Sequence, residues 1–211
     1  MEFVVGRAKR QWSLHRNLLS YHSGWFKKKV KEEVQERGGR IDLFDDDPRA
    51  FEMLVKWLYT GKIDDVSAVT LEKKWDYIYA CQQLYILCHK MDLPQLQNLA
   101  MDQFRRGCFE AGLVPGVEEM IPIYQKLPAS SPFRKLVSRI AARQILDPES
   151  EKGSAGYRDA FACNPDFAID VIDAMKEGVG GFLLDDPTEV GGCLFHDHPN
   201  GQPCHLTKRN G

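Results

Sequence analysis

Apolar and polar positions along this chain sort into two periods. Phe3-Val4-Val5 is a short β-branched and aromatic run, a basic polar turn follows from Arg7 to Arg10, and Trp12-Ser13-Leu14-His15 alternates. Together these predict a β-hairpin. From Leu18 the period changes. Leu18, Leu19, His22, Trp25, Phe26 and Val30 recur at helical spacing, Lys27, Lys28, Lys29 and Lys31 turn mainly outward, and Asn17 stands where it can cap the helix. Gly38-Gly39 breaks the pattern, and Arg40-Ile41-Asp42-Leu43-Phe44 returns to strand alternation.

Asp45-Asp46-Asp47-Pro48 reads as a helix start, with acidic residues at the positive end of the dipole and Pro near the first helical position. Phe51, Leu54, Val55 and Leu58 give that helix one apolar face, and Gly61 supplies the left-handed stop. Between Leu71 and Cys88 two stripes coexist: Leu71, Trp75, Ile78, Cys81, Tyr85 and Cys88, and then Tyr77, Ala80, Leu84 and Leu87. A helix apolar over most of its circumference is buried among others. Leu93-Pro94 opens a further helix with Leu96, Leu99, Ala100 and Phe104. Strands followed by a cluster of helices predict an α+β unit over residues 1–106. Beyond Gly107 the pattern is helical, near 117–126, 133–146 and 158–177, and is punctuated by prolines to about residue 190. Residues 191–211 have no periodicity and read as a tail that packs through a few anchors.

Composition narrows the class. The chain has 211 residues, 43% of them apolar and 27% charged, with a net charge of −2. That is the balance of a globular protein with no bulk attraction to nucleic acid or acidic lipid. No apolar run is long enough for a membrane span, and Met1–Gly6 is too short and wrongly flanked for a signal peptide. Six thinly spread cysteines and no N-x-[ST] acceptor fit buried thiols in a reducing, intracellular compartment, nucleus or cytoplasm. The net charge conceals segregation. Residues 1–40 carry ten basic and four acidic side chains, 41–65 three and seven, and 147–190 three and eleven. Such runs are solvated faces or complementary surfaces for self-association.

Catalytic motifs are missing. Gly153-Ser154-Ala155-Gly156 is not a nucleophile elbow, and Gly178-Val179-Gly180-Gly181 falls short of a dinucleotide fingerprint. Neither His22 nor His89 has a nucleophile near it in sequence, so no catalytic or cofactor-binding residue is assigned. The Lys27–Lys31 stretch lacks interleaved aromatics and runs straight into Glu32-Glu33, as a solvated helix face does. The tail is the one chemically pointed segment. Cys193, His196, His198, Cys204 and His205 lie within thirteen residues, with Pro199-Asn200-Gly201 between as a turn. The first four are candidate zinc ligands. Their spacing matches no standard finger, and His196 and His198 point oppositely if extended. A structural zinc therefore stands against plain packing or a solvated tail, and no cofactor is assigned.

Three blocks carry a family signature. VVGRAKRQWSLHRNLLSYHSGWFKKKV, with His15-Arg16, Leu18-Leu19, Ser23 and Trp25-Phe26, resembles the opening of a BTB (POZ) domain. RIDLFDDDPRAFEMLVKWLYTGKI is similar to the family's strand, acidic-Pro turn and helix ending in Leu-Tyr-Thr-Gly, and YIYACQQLYILCHKMDLPQLQNLAMDQF to its closing helical pair. The remainder, with IPIYQKLPASSPFRKLV and NPDFAIDVI, resembles the C-terminal regions of fungal single-BTB proteins, where a similar Cys, aromatic-His-x-His and later Cys pattern occurs. The resemblance implies a small β-sheet flanked by helices with a helical extension, and a non-enzymatic protein–protein interaction module. The implied partners are proteins: a second copy, and a cullin-type ubiquitin ligase scaffold for which the chain is a substrate adaptor. The alternative is a transcriptional or chromatin regulator with a zinc-stabilised tail. At His15 the family implies a core-supporting histidine whose ring donates to a carbonyl or carboxylate. Met1 falls inside what should be the first core strand, as in a truncated or short-form domain. A dimer built on the remaining helices alone would bury less surface than a strand-exchanged one.

Overall fold

A run of three consecutive apolar residues needs cover on both faces of its sheet, because successive side chains point to opposite sides. The structure is a computed structural model and describes residues 1–36, 39–150, 153–178, 186–189, 191–202 and 204. Gly38, Val179-Gly180-Gly181 and His205 lie outside these. Strand β1 (Glu2–Val5) sits between β2 (Arg10–Ser13) and β3 (Arg40–Leu43), and its Phe3, Val4 and Val5 are 0%, 3% and 0% exposed. β2 runs antiparallel to β1 and β3 parallel to it, so Phe3 lies opposite both Trp12 and Ile41. A parallel neighbour requires a crossover, which helices α1 (Arg16–His22) and α2 (Gly24–Glu36) provide.

Here the structure departs from the periodicity. The continuous helix expected from Leu18 to Val30 is broken at Ser23, whose backbone is extended. The Ser23 hydroxyl accepts from the Phe26 amide at 3.2 Å and donates to the Met91 carbonyl, so one side chain starts α2 and fastens it to a distant loop. Nor does Asn17 cap the first segment. His15 occupies the cap position and the Leu19 amide bonds to its carbonyl at 3.2 Å, which leaves Asn17 inside the first turn of α1.

The tight turn after β1 depends on Gly6. It has φ +72°, donates to the Leu43 carbonyl at 3.0 Å, and a Cβ there would stand 2.6 Å from Pro48 Cγ. Gly61 has nearly the same φ, +70°, but open space around it. Gly6→Ala is therefore expected to cost about 2–3 kcal/mol, the left-handed penalty plus overpacking. Gly61→Ala is expected to cost about 1 kcal/mol. Denaturant midpoints of the two variants check the difference.

Helix α3 (Pro48–Thr60) begins as its sequence predicts, with the Asp47 carboxylate accepting from the Ala50 amide at 2.8 Å and Pro48 in the first turn. It ends at Gly61, whose amide bonds to the Trp57 carbonyl at 2.8 Å. Its buried face adds Trp57 to Phe51, Leu54 and Leu58. Phe51 meets the Phe3 ring at 5.2 Å and the Trp12 ring at 5.0 Å, while Phe26 meets Phe3 edge-on at 6.1 Å. Helix α4 (Leu71–Lys90) is buried all round only towards its C-terminal half, Cys81, Gln82 and Leu84–Cys88. Leu71, read as part of its stripe, is 74% exposed, the first residue of a helix whose burial begins at Lys74. Helix α5 (Pro94–Ala111) follows.

The chain divides into two compact units, Met1–Gln103 and Phe104–Gly211. The second contains α6 (Val117–Lys126), α7 (Pro132–Leu146), α8 (Arg158–Cys163) and α9 (Pro165–Glu177). The helical pattern at 158–177 is thus divided, at Asn164, whose side chain accepts from the Asp166 amide at 3.1 Å and starts α9. Phe104 packs on Phe133 at 4.8 Å, and Tyr124 on Phe167 at 4.9 Å. The result is the expected α+β fold, a three-stranded sheet with flanking helices followed by a helical extension. Among the described residues no helix is long and apolar enough to cross a membrane.

Candidate interaction surfaces and a thiol–imidazole cluster

Helix α1 uses little of its apolar content for the core. Only Leu19 is buried, whereas Tyr21 is 84% exposed, and half-buried Leu18 lies three residues before it on the same face. The Tyr21 ring stands edge-on to His22 at 5.2 Å, and His22 in turn lies 4.9 Å from Trp57 of α3. Burial holds the His22 imidazole below the usual histidine range, because the charged form loses hydration. An aromatic presented at the end of such a ladder offers a large, amphipathic contact area, which suits recognition.

His15 is exposed, and its Nδ1 lies 2.8 Å from the Tyr59 hydroxyl. The expected carbonyl or carboxylate partner is thus replaced by a phenol from α3. His89 is exposed near the end of α4. The lysine run of α2 faces water, with Lys29 and Lys28 at 3.0 and 3.9 Å from Glu32.

A groove of about 1010 Å³ opens in the N-terminal unit beside β2, α3 and α4. Trp12, Met53, Val55 and Tyr77 contribute its apolar floor. The Tyr77 hydroxyl donates to the Asp64 carbonyl, and burial raises its pKa, so it stays a neutral donor. The rim is charged and locally neutralised: Arg49 lies 3.1 Å from Asp76, and Lys56 2.5 Å from Asp64. No thiol, imidazole or serine hydroxyl is among the residues that line it. Elsewhere, burial pushes the Cys88 thiol up and that of Cys108 up to about 12, with Asp186 adding to the latter, so neither is a poised thiolate.

The tail residues singled out in the sequence converge. One donor atom from each of Cys193, His196, His198 and Cys204 lies within 4.8 Å of every other. The segment is not extended: the His196 amide bonds to the Cys193 carbonyl at 3.1 Å, which turns these two residues to one side. A short 3₁₀ turn, Pro199–Gly201, precedes Cys204. His196 Nδ1 lies 3.1 Å from Cys204 Sγ, and the His196 and His198 rings are 5.8 Å apart. Phe195, fully buried and next to His196 in sequence, anchors the loop, with the Arg105 guanidinium 4.7 Å over its ring while Arg105 Nε donates to the Pro187 carbonyl at 3.1 Å. The sequence supplied these residues but not their convergence, since that depends on the turn at Cys193–His196.

The family model of the BTB/POZ domain matches residues 1–98. No curated protein matches the chain.

Proposed function

We propose, on the premise that this chain is a BTB/POZ-domain protein whose residues 1–98 are that domain, that it works as a homodimerising adaptor for a cullin-type ubiquitin ligase scaffold. A BTB/POZ domain is a protein-interaction module, and the finer reading rests on how its exterior is built. Tyr21 carries it. A large aromatic side chain held outward on α1, beside Leu18, leaves apolar area that the unit's own core does not use. A second copy covers such a face symmetrically. The groove beside α3 and α4 supports the scaffold role, being part apolar and rimmed with both charges, as a docked protein segment requires. The helices of the C-terminal unit then remain for a substrate. Nothing in this scheme asks for catalysis by the chain itself.

The groove is tested by capture. Immobilised chain is expected to retain a cullin scaffold from purified solution, and Met53→Glu, which puts a charge on the half-buried floor, is expected to weaken retention at least about tenfold, or 1.4 kcal/mol. Unchanged far-ultraviolet dichroism shows that the variant folds. Equal retention by both proteins, or none by either, contradicts the scaffold role. Salt-dependent DNA binding by the purified chain would instead favour a chromatin regulator.

A further inference from the structure

We propose that Cys193, His196, His198 and Cys204 bind one zinc ion tetrahedrally, and that this ion holds the tail loop on the C-terminal unit. Two thiols and two imidazoles form a donor set that zinc prefers. The geometry is close to what the ion needs. With zinc–sulfur bonds of about 2.3 Å and zinc–nitrogen bonds of about 2.0 Å, tetrahedral donors stand roughly 3.3–3.8 Å apart. Here all four lie within 4.8 Å of one another and one sulfur–nitrogen pair is at 3.1 Å, so the widest separation exceeds the tetrahedral range by only about an ångström.

A second observation points the same way. His198 Nε2 is buried and has no hydrogen-bond partner. A buried imidazole nitrogen without a partner is unfavourable, and a metal bond removes that penalty. The four residues also differ in burial, with His196 and Cys204 inside and Cys193 at the surface. Such a site is reachable from solvent on one side and shielded on the other. All four protein ligands being present leaves no open position, so the ion is structural rather than catalytic. The loop is a short segment ordered through the buried Phe195 ring and backbone turns, and short segments of this kind are where a metal contributes most to folding.

The test is metal content and coordination in the whole chain, purified under reducing conditions. One zinc per chain is expected, and cobalt substituted for it should give the intense visible bands of a tetrahedral thiolate site. Cys204→Ser and His198→Ala should each lower zinc affinity at least about tenfold, while His89→Ala, an exposed position near the end of α4, should leave it unchanged. The cobalt spectrum of the unaltered chain needs no variant to fold. Absence of bound metal, an octahedral cobalt spectrum, zinc that persists in the Cys193→Ser/Cys204→Ser double variant, or a Cys193–Cys204 disulfide in the freshly isolated protein would each overturn the assignment.

Discussion

Phe51→Ala is expected to lower the stability of the N-terminal unit by about 3–5 kcal/mol, the range for removing a large buried aromatic. Phe51 is fully buried on α3 and touches rings from two strands, Phe3 at 5.2 Å and Trp12 at 5.0 Å. The lost area alone accounts for about 3 kcal/mol. The rest is the hole, because β1 is held from both sides and cannot collapse into it. Phe51→Leu retains most of the volume and should cost no more than about 1.5 kcal/mol. Denaturant unfolding followed by tryptophan fluorescence reports both, since Trp12 and Trp57 belong to the same unit. A Phe51→Ala loss under 1 kcal/mol would mean that the helix does not close this sheet.

The second large effect lies in the C-terminal unit, at Arg134. Its side chain is 5% exposed, with the guanidinium 4.2 Å over the Tyr124 ring and Nη2 at 3.4 Å from Asp170 and 3.5 Å from Asp166. The Tyr124 hydroxyl donates to the same Asp170 carboxylate at 2.7 Å, and burial raises its pKa, so that donation persists across the working pH range. One cation thus links α6, α7 and α9. Arg134→Ala removes the stacking and leaves Asp170 without its cation, at a cost of about 3 kcal/mol, the lower end for a buried pair because Asp170 keeps a third of its surface in water. The Arg139–Glu177 pair is shorter, 2.6 Å, yet Glu177 is more than half exposed, so Arg139→Ala should cost less than about 1 kcal/mol. Burial rather than distance decides the order. Equal losses for the two variants would show that the network is not what holds these helices.

How much of this was legible in the sequence follows from how local each cause is. Asp47-Pro48 and Gly61 delimit α3 by contacts within four residues, and the hairpin pairs neighbours in the chain, so pattern reading reached them. The break at Ser23 was hidden because its hydroxyl bonds to a carbonyl 68 residues away, and the apolar spacing of Leu18 to Val30 runs through it undisturbed. Asn17 lost its capping role for a smaller reason, since the helix starts one residue before it. Leu71 fits the α4 stripe by spacing but is exposed as the first residue of the helix, and periodicity carries no record of where burial begins. In the tail the donor residues were evident by type. The objection that His196 and His198 diverge assumed an extended strand, and the turn that brings their donors together comes from the backbone bond to Cys193.

The proposed dimer has two copies meeting through α1, where Tyr21 stands exposed. Sedimentation equilibrium of the purified chain over a wide concentration range tests it most directly. A species of twice 24.1 kDa is expected, reduced to 24.1 kDa by Tyr21→Glu with the helical dichroism unchanged. A single 24.1 kDa species at every concentration, or a dimer indifferent to Tyr21→Glu, would contradict it.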